Sequence, residues 1–211
     1  MALIAKMEFP SSGLYAITAE NHTSPQDLAQ KVNAALRGGA KVIQYRAKST
    51  RNPLEEARMV LAECHACHVP LIINDDVELA LSLGADGVHL GKDDGSIVAA
   101  RNTLGAEAII GVSCYNSVQR AVEAEALGAS YVAFGRFFPS SSKPNAPCAD
   151  VETLIAAKQS LHLPIVAIGG ITPENGRSLI EAGADLLAVI DAVFGADDPA
   201  QASLEFKTLF A

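Results

Sequence analysis

Residues 183–191 read Gly-Ala-Asp-Leu-Leu-Ala-Val-Ile-Asp, in which a Gly-Ala pair stands before a short apolar run, and three earlier pairs stand before similar runs. The four pairs follow one another at intervals of roughly 45–55 residues: Gly39-Ala40, Gly84-Ala85, Gly128-Ala129 and Gly183-Ala184. Each glycine comes after an amphipathic stretch, which is typical of the left-handed residue that ends a helix before a strand begins. The repeat therefore marks four helix-to-strand junctions.

Four further aliphatic runs lie between these junctions, at residues 14–17, 70–73, 109–112 and 164–168. Short and almost uninterrupted aliphatic runs are typical of strands that are buried on both faces of a parallel sheet. Helical patterns fill the gaps, and the first is predicted to begin at Ser24 with Pro25 in its first turn. The sequence thus predicts eight strands that alternate with helices.

Eight βα units in 211 residues predict an α/β fold, a (β/α)8 TIM barrel that forms one domain over residues 1–211. An open doubly wound sheet could accommodate the same alternation. The repeat, however, continues without an edge strand or a change of composition, which favours the closed barrel.

The composition excludes several classes of protein. Apolar residues make up 49% of the chain and charged residues 19%, which is typical of an ordered globular protein. The net charge of −8 argues against a general nucleic-acid or anionic-membrane surface, so a polyanionic substrate must meet a local basic group or a bridging cation. No apolar run reaches the ~18–20 residues of a membrane span, and the first residues lack a leader pattern. We expect a cytoplasmic protein with reduced cysteines and no membrane or nucleic-acid partner, and a homo-oligomer is compatible with the sequence.

One cysteine motif, Cys64-His65-Ala66-Cys67-His68, matches the C-x-x-C-H pattern of covalent haem attachment. That chemistry requires export, for which the sequence has no signal, and zinc would need a second ligand pair nearby. Because the motif lies at the end of a helical pattern, we interpret it as structural.

Polar residues follow the predicted strands at their carboxyl ends, where TIM barrels have their active sites. The second strand continues into Gln44-Tyr45-Arg46-Ala47-Lys48, and the alternation of a strand places Gln44, Arg46 and Lys48 on one side. Two cations and an amide at a barrel mouth suit an oligophosphate. The alternative is a charged strand end that meets only solvent.

Acidic residues follow the next two strands. Residues 74–76 read Asn-Asp-Asp, and residues 89–94 read His-Leu-Gly-Lys-Asp-Asp. Carboxylates from successive strand ends beside a basic segment predict a Mg²⁺ site that substrate phosphates complete. The alternative for each Asp is that it caps the N-terminus of the helix that follows. His89 is interpreted as structural. Ser113, after the fifth strand, is by itself only weak evidence of a ligand-binding residue.

Two segments indicate a second phosphate site. Residues 137–147, rich in Pro and Ser, lack apolar periodicity and predict either a plain surface loop or a lid whose hydroxyls and Lys143 cover a phosphate. Gly169-Gly170 and Ile190-Asp191 end the last two strands, where backbone N–H groups often bind phosphate. Two phosphate sites in one mouth predict two phosphorylated substrates, one of which loses diphosphate. No nucleophile constellation emerges, so we expect catalysis by positioning and electrostatics.

Six blocks of the sequence, in order over nearly the whole chain, resemble the thiamine-phosphate synthase family: residues 44–48, 73–76, 87–94, 111–113, 138–143 and 167–172. The resemblance implies a transferase that joins 4-amino-2-methyl-5-(diphosphooxymethyl)pyrimidine to 4-methyl-5-(2-phosphoethyl)thiazole or its carboxylated tautomer, giving thiamine phosphate and diphosphate. In this family the substitution is viewed as dissociative, with diphosphate departing before the thiazole nitrogen attacks.

The resemblance also implies site residues. The pyrimidine diphosphate would be bound by Gln44, Tyr45, Arg46, Ala47, Lys48, Asn74, Ser113 and Lys143. Four of these would act in catalysis: Arg46, Lys48, Lys143 and Ser113. Asp75 and Asp94 would hold Mg²⁺. The thiazole phosphate would be bound by Ser140, Ser141, Ser142, Gly170, Ile190 and Asp191.

The sequence departs from the family's pattern in two places. Ser140 and Ser142 stand where Thr-x-Thr is common, which keeps both hydroxyls. Asp191 stands where a Ser is common, and its carboxylate would repel a phosphate unless the backbone N–H makes the contact.

Two other functions fit parts of the sequence. A thiazole tautomerase of the same superfamily would act on a single thiazole phosphate by proton transfer, and would need neither the paired Asp residues nor the basic strand end. A non-catalytic sensor of thiamine precursors would not need an intact polar mouth.

Overall fold

The computed structural model describes residues 7–47, 50–92, 94–139 and 148–211. Eight strands form one sheet in chain order: β1 (Gly13–Ile17), β2 (Val42–Tyr45), β3 (Leu71–Asn74), β4 (Gly87–Leu90), β5 (Ile109–Tyr115), β6 (Tyr131–Phe134), β7 (Ile165–Ile168) and β8 (Leu186–Val189). All neighbouring strands are parallel, and β8 pairs with β1 through Tyr15 and Ala188. The sheet is therefore a closed barrel, and the predicted (β/α)8 fold is confirmed.

Helices cover the outside of the barrel: α1 (Pro25–Gly38), α2 (Pro53–Ala66), α3 (Val77–Leu83), α4 (Ile97–Leu104), α5 (Val118–Ala126), α6 (Val151–Ser160), α7 (Pro173–Glu181), α8 (Asp191–Phe194) and α9 (Pro199–Thr208). The predicted start of α1 is confirmed, because the Ser24 side chain accepts a hydrogen bond from Asp27 N at 3.1 Å. The last helix, α9, packs against α1. No helix in the described part of the chain is both long and apolar enough to cross a membrane.

The four glycines of the repeat all have a positive φ, between 71° and 113°. Gly39 and Gly84 are the C-caps of α1 and α3, while Gly128 and Gly183 come one residue after the C-caps of α5 and α7. A residue with a side chain would be strained in this left-handed conformation. The predicted helix-to-strand junctions are confirmed.

The core has two layers, which follow from the alternation of side chains along each strand. Residues such as Leu14 and Val132 face the helices and belong to the larger hydrophobic cluster. Residues such as Tyr15, Ile72 and Tyr131 face the barrel interior and form a second cluster. The four cysteines are all free, with Cys64 buried and Cys67 exposed, so the C-x-x-C-H motif holds no disulfide.

In two of the four copies of the repeat the third residue is Asp, and it ties neighbouring strands together at the amino ends of the barrel. Asp86 Oδ2 accepts a hydrogen bond from Leu71 N at 2.8 Å, and Asp185 Oδ2 accepts one from Ile165 N at 2.9 Å. Asp86 is 2% exposed and also contacts His65 Nε2 at 3.0 Å. These two Gly-Ala-Asp segments thus end a helix and anchor the preceding strand.

The Asp86→Ala substitution should lower the free energy of unfolding by about 2 kcal/mol, because it leaves the buried Leu71 N–H without its partner. Asp185→Ala should cost less, since Asp185 is half-buried and water can replace its carboxylate. Equilibrium urea unfolding of both variants checks this order. Equal losses would show that burial of the acceptor does not decide its contribution.

Candidate active site

A cavity of about 510 Å³ lies at the carboxyl ends of the strands, and all eight strands or the loops after them contribute to its lining. The cavity brings together predicted site residues from both halves of the chain: Gln44, Arg46, Asn74, Asp75, Ser113, Gly170, Ile190 and Asp191. As the alternation of β2 predicts, Gln44 and Arg46 face the same side. The polar ends of distant strands therefore meet in one place.

Other predicted site residues lie elsewhere. Tyr45 is buried on the opposite face of β2, where its hydroxyl donates to Glu56 Oε2 at 2.7 Å. Ala47 is exposed and lines a smaller cleft outside the barrel mouth. Asp94 is exposed on the rim, and its Oδ2 accepts a hydrogen bond at 2.8 Å from the backbone of Gly91, which lines the cavity. Five predicted site residues lie outside the described residues: Lys48, Ser140, Ser141, Ser142 and Lys143.

The two adjacent aspartates after β3 have different positions. Asp76 is the N-cap of α3, and its side chain accepts a hydrogen bond from Leu79 N at 2.8 Å. Asp75 has a left-handed φ of 64°, which turns its side chain into the cavity lining. Non-glycine residues rarely adopt this conformation, and Asp and Asn adopt it most readily. The helix-cap interpretation thus applies to Asp76 and leaves Asp75 at the site.

The carboxylates that follow β3 and β4 fit a hard divalent cation. Asp75 and Asp94 follow adjacent strands, and Asn74 Nδ2 donates to Asp75 Oδ2 at 2.5 Å. Among the described residues no cluster of three or more His, Cys, Asp or Glu side chains forms a complete metal site. Mg²⁺ commonly uses only one or two carboxylates and completes its octahedron with phosphates and waters.

Five polar side chains, which we call the floor chain, cross the barrel interior below the cavity: Gln44, Tyr15, Tyr131, His89 and Ser113. Gln44 Nε2 lies 2.8 Å from Tyr15 Oη, and the two tyrosine hydroxyl oxygens lie 2.7 Å apart. His89 Nδ1 lies 2.9 Å from Tyr131 Oη, and His89 Nε2 lies 2.9 Å from Ser113 Oγ. Burial raises the pKa of both tyrosines well above the ordinary value, so both remain phenols.

Sequence reasoning missed Tyr15 and Tyr131 and interpreted His89 as structural, yet all three line the cavity. Tyrosines in strands are ordinary core residues, so neither Tyr15 nor Tyr131 stood out in the sequence. The two residues contact each other only because the barrel closes. The alternation of β4 could have indicated His89, because its register partner Asn74 also lines the cavity.

A cation and two glycines line the cavity next to the predicted lid. Arg136, the first polar residue after β6, also lines the cavity; the sequence did not single it out, because a lone Arg before a Pro- and Ser-rich stretch has no distinctive pattern. Gly169 and Gly170 have φ values of 108° and 64°, and a Cβ at Gly170 would overlap the carbonyl of Pro139. These glycines therefore allow the segments after β6 and β7 to meet at the cavity wall.

Comparisons with known proteins match nearly the whole chain to one family. Residues 14–193 match the family model described as thiamine monophosphate synthase. The chain is 51% identical over 206 residues to a thiamine-phosphate synthase of Methylococcus capsulatus, covering 97% of this chain and 92% of the relative. It is 54% identical over 202 residues to one of Nitrosococcus oceani, covering 94% and 92%. A solved thiamine phosphate pyrophosphorylase from Pyrococcus furiosus superimposes with a TM-score of 0.84 at 34% identity, covering 94% of this chain and 95% of that one.

These matches and the barrel-mouth site define a transferase. The chain belongs to the thiamine monophosphate synthase family, and the resemblance noted in the sequence is confirmed. The relatives support the function of a thiamine-phosphate synthase.

Outside the cavity, Glu56 fixes the loop that follows Arg46. Its carboxylate, 6% exposed, accepts hydrogen bonds from Tyr45 Oη and Thr50 Oγ1, both at 2.7 Å, and lies 3.4 Å from His22 Nε2. Burial raises the pKa of Glu56, but the hydrogen bonds from Thr50, Tyr45 and His22 outweigh burial and hold the pKa below its ordinary value. Glu56 thus connects the loops after β1 and β2 through its charged form.

A lowered folded-state pKa means that ionised Glu56 contributes stability above the unfolded value of 4.5, and that this contribution is lost as pH falls through the lower folded value. The difference in unfolding free energy between wild type and Glu56→Gln should therefore be largest above pH 4.5 and shrink below it. Urea midpoints from pH 3 to 7 measure this difference, with the exposed Glu152→Gln as control. A difference that stays constant across this range would contradict the assignment.

Proposed function

We propose that the protein joins 4-amino-2-methyl-5-(diphosphooxymethyl)pyrimidine to 4-methyl-5-(2-phosphoethyl)thiazole or its carboxylated tautomer, in a Mg²⁺-dependent reaction that yields thiamine phosphate and diphosphate. Arg46 and Asp75, from β2 and β3, share the cavity with Gly170 from β7, on the far side of the barrel. Such a mouth can hold a diphosphate and a monophosphate at the same time.

The pyrimidine diphosphate would lie on the side of β2 to β5. There the planar fork of Arg46 suits phosphate oxygens, and Gln44, Asn74 and Ser113 supply amide and hydroxyl groups. Asp75 and Asp94 would hold Mg²⁺, which when bound neutralises charge on the diphosphate. Lys48 and Lys143 are proposed to add cations from outside the described residues.

The thiazole phosphate would lie on the opposite side, against Gly170, Ile190 and Asp191, with Ser140–Ser142 as proposed further contacts. Asp191 is exposed, and its proposed contact uses the backbone N–H so that its carboxylate turns away from the phosphate. Asn175 Nδ2 donates to Gly170 O at 3.1 Å and so fixes the orientation of this peptide.

The proposed reaction breaks the bond between the pyrimidine methylene carbon and the diphosphate oxygen, and the electron pair leaves with the diphosphate. The thiazole nitrogen then forms a bond to the methylene carbon. Arg46 lowers this barrier only if it binds the departing diphosphate better in the transition state than in the ground state. Apolar side chains such as Ile17 and Val166 line the cavity and limit the access of water to the methylene cation.

The direct test supplies the purified protein with both substrates and Mg²⁺ and monitors diphosphate release. We expect equimolar diphosphate and thiamine phosphate. Proton exchange on the thiazole phosphate alone, without diphosphate, would support a tautomerase instead, and binding without turnover would support a sensor.

The metal assignment predicts that Asp75→Asn lowers Mg²⁺-dependent kcat by about 100-fold, because it removes a charged ligand near the departing diphosphate. Asn readily adopts the left-handed conformation of this position, so the fold should be kept. The matched control is Asp76→Asn, which preserves an N-cap of similar strength and should leave kcat near wild type. If both variants lose the same activity, Asp75 has no special role with the metal.

A further inference from the structure

The floor chain connects two proposed substrate-binding residues, Gln44 and Ser113, through three side chains to which the proposed function gives no role. Tyr15 and Tyr131 are each at most 1% exposed, and Gln44 is 3% exposed. Because so little of these side chains is accessible, their polar atoms are satisfied mainly by one another. The direction in which the hydrogens point along the floor chain then determines how the Ser113 hydroxyl is oriented.

Gln44 sets that direction. Its Nε2 donates to Tyr15 Oη, so the single hydroxyl hydrogen of Tyr15 is left to donate to Tyr131 Oη. In that arrangement Tyr131 would accept from Tyr15 and donate its own hydrogen to His89 Nδ1. A His89 ring that accepts at Nδ1 carries its hydrogen on Nε2, and that hydrogen is donated to Ser113 Oγ.

The opposite direction is costly. If Ser113 donated to His89 Nε2 and His89 Nδ1 donated to Tyr131, then Tyr131 would donate to Tyr15 Oη, which already accepts from Gln44. The Tyr15 hydroxyl hydrogen would then lose the acceptor that Tyr131 provides. A buried donor without a partner destabilises a protein substantially, so the direction that begins at Gln44 is favoured.

We propose that Tyr131 and His89 are positioning residues, which hold the Ser113 hydroxyl so that it accepts from His89 and donates its own hydrogen into the cavity. Ser113 lines the cavity, and a donating hydroxyl suits an anionic phosphate oxygen. A hydroxyl that donated to His89 instead would turn its lone pairs toward the anion. The effect of this orientation on catalysis rests on the proposed function, whereas the direction of the hydrogen bonds along the floor chain does not.

Packing holds the Tyr131 ring in the required place. Phe9 stacks on it with ring centroids 4.1 Å apart and an interplanar angle of 3°. On β5, a Cβ at Gly111 would overlap the Tyr131 ring, so this glycine allows the close approach. The ring is therefore fixed independently of its hydroxyl, and Tyr131→Phe should remove the hydrogen bonds without displacing the ring.

The first test reads the tautomer of His89 from its imidazole ¹⁵N shifts and two-bond ¹H–¹⁵N correlations, assigned with a His89→Asn variant and recorded without substrate. We expect the Nε2–H tautomer in wild type. It should persist in Ser113→Ala, because Tyr131 still donates to Nδ1. In Tyr131→Phe the Nδ1–H form should become populated. The Nδ1–H tautomer in wild type, or its appearance in Ser113→Ala, would overturn the proposal even if Tyr131→Phe failed to fold.

The second test is a double-mutant cycle on kcat/KM for diphosphate release. Tyr131→Phe should lower kcat/KM about 10-fold in the wild-type background and by less than about 2-fold in the Ser113→Ala background, because it acts through Ser113. Tyr45→Phe is the matched control, since it also removes one buried hydroxyl from a barrel strand. Its effect should be the same in both backgrounds.

An equal loss from Tyr131→Phe in both backgrounds would show a merely structural role and would overturn the positioning of Ser113. A protein without synthase activity would overturn the proposed function. The tautomer measurement would then still decide the direction of the hydrogen bonds along the floor chain. Failure of the positioning role and failure of the proposed function are therefore distinguishable.

Discussion

In a closed barrel of parallel strands, each strand is hydrogen-bonded on both sides, and all carboxyl ends must reach the same rim. This constraint brings together Arg46 after β2, Asp75 after β3 and Gly170 after β7, which are far apart in the chain. The helices carry the chain back to the amino ends of the strands, and the Gly-Ala pairs stand at four of these helix-to-strand junctions. The cavity and its chemistry depend on this closure.

Closure also creates an interior in which polar groups must satisfy one another. The inward positions of Tyr15, Gln44, His89 and Tyr131 would be costly in a purely apolar barrel. In this protein they form one hydrogen-bonded series that ends at the cavity. The same polar groups can therefore both fill the barrel interior and orient the site.

Much of the fold could be predicted from the sequence because buried parallel strands and left-handed helix ends have local signatures. The rim residues could be predicted because they directly follow those strands. Which of Asp75 and Asp76 caps α3 could not be predicted, since the two residues differ only in backbone conformation. The pairing of Tyr15 with Tyr131 was missed for another reason: it joins β1 and β6 across the interior, and no local pattern encodes that contact.

The resemblance to the family gave residue roles that the residues alone left open, and the structure adds detail to several of them. The resemblance implies a substrate-binding role for Tyr45, yet its side chain faces away from the cavity and contacts Glu56. Its contribution to substrate binding would thus come from fixing the loop after Arg46, or from its backbone. Asp94 lies at the rim rather than in the cavity lining, which suits a ligand that a bound diphosphate would approach.

In the proposed enzyme, two phosphate sites face each other across one barrel mouth. A crystal structure with thiamine phosphate, diphosphate and Mn²⁺ in place of Mg²⁺ tests it most directly, because the metal can be located by anomalous scattering. We expect the metal to lie between Asp75, Asp94 and the diphosphate, and the monophosphate to lie against Gly170 on the opposite side. Both phosphate groups on the same side, or a metal away from Asp75, would contradict it.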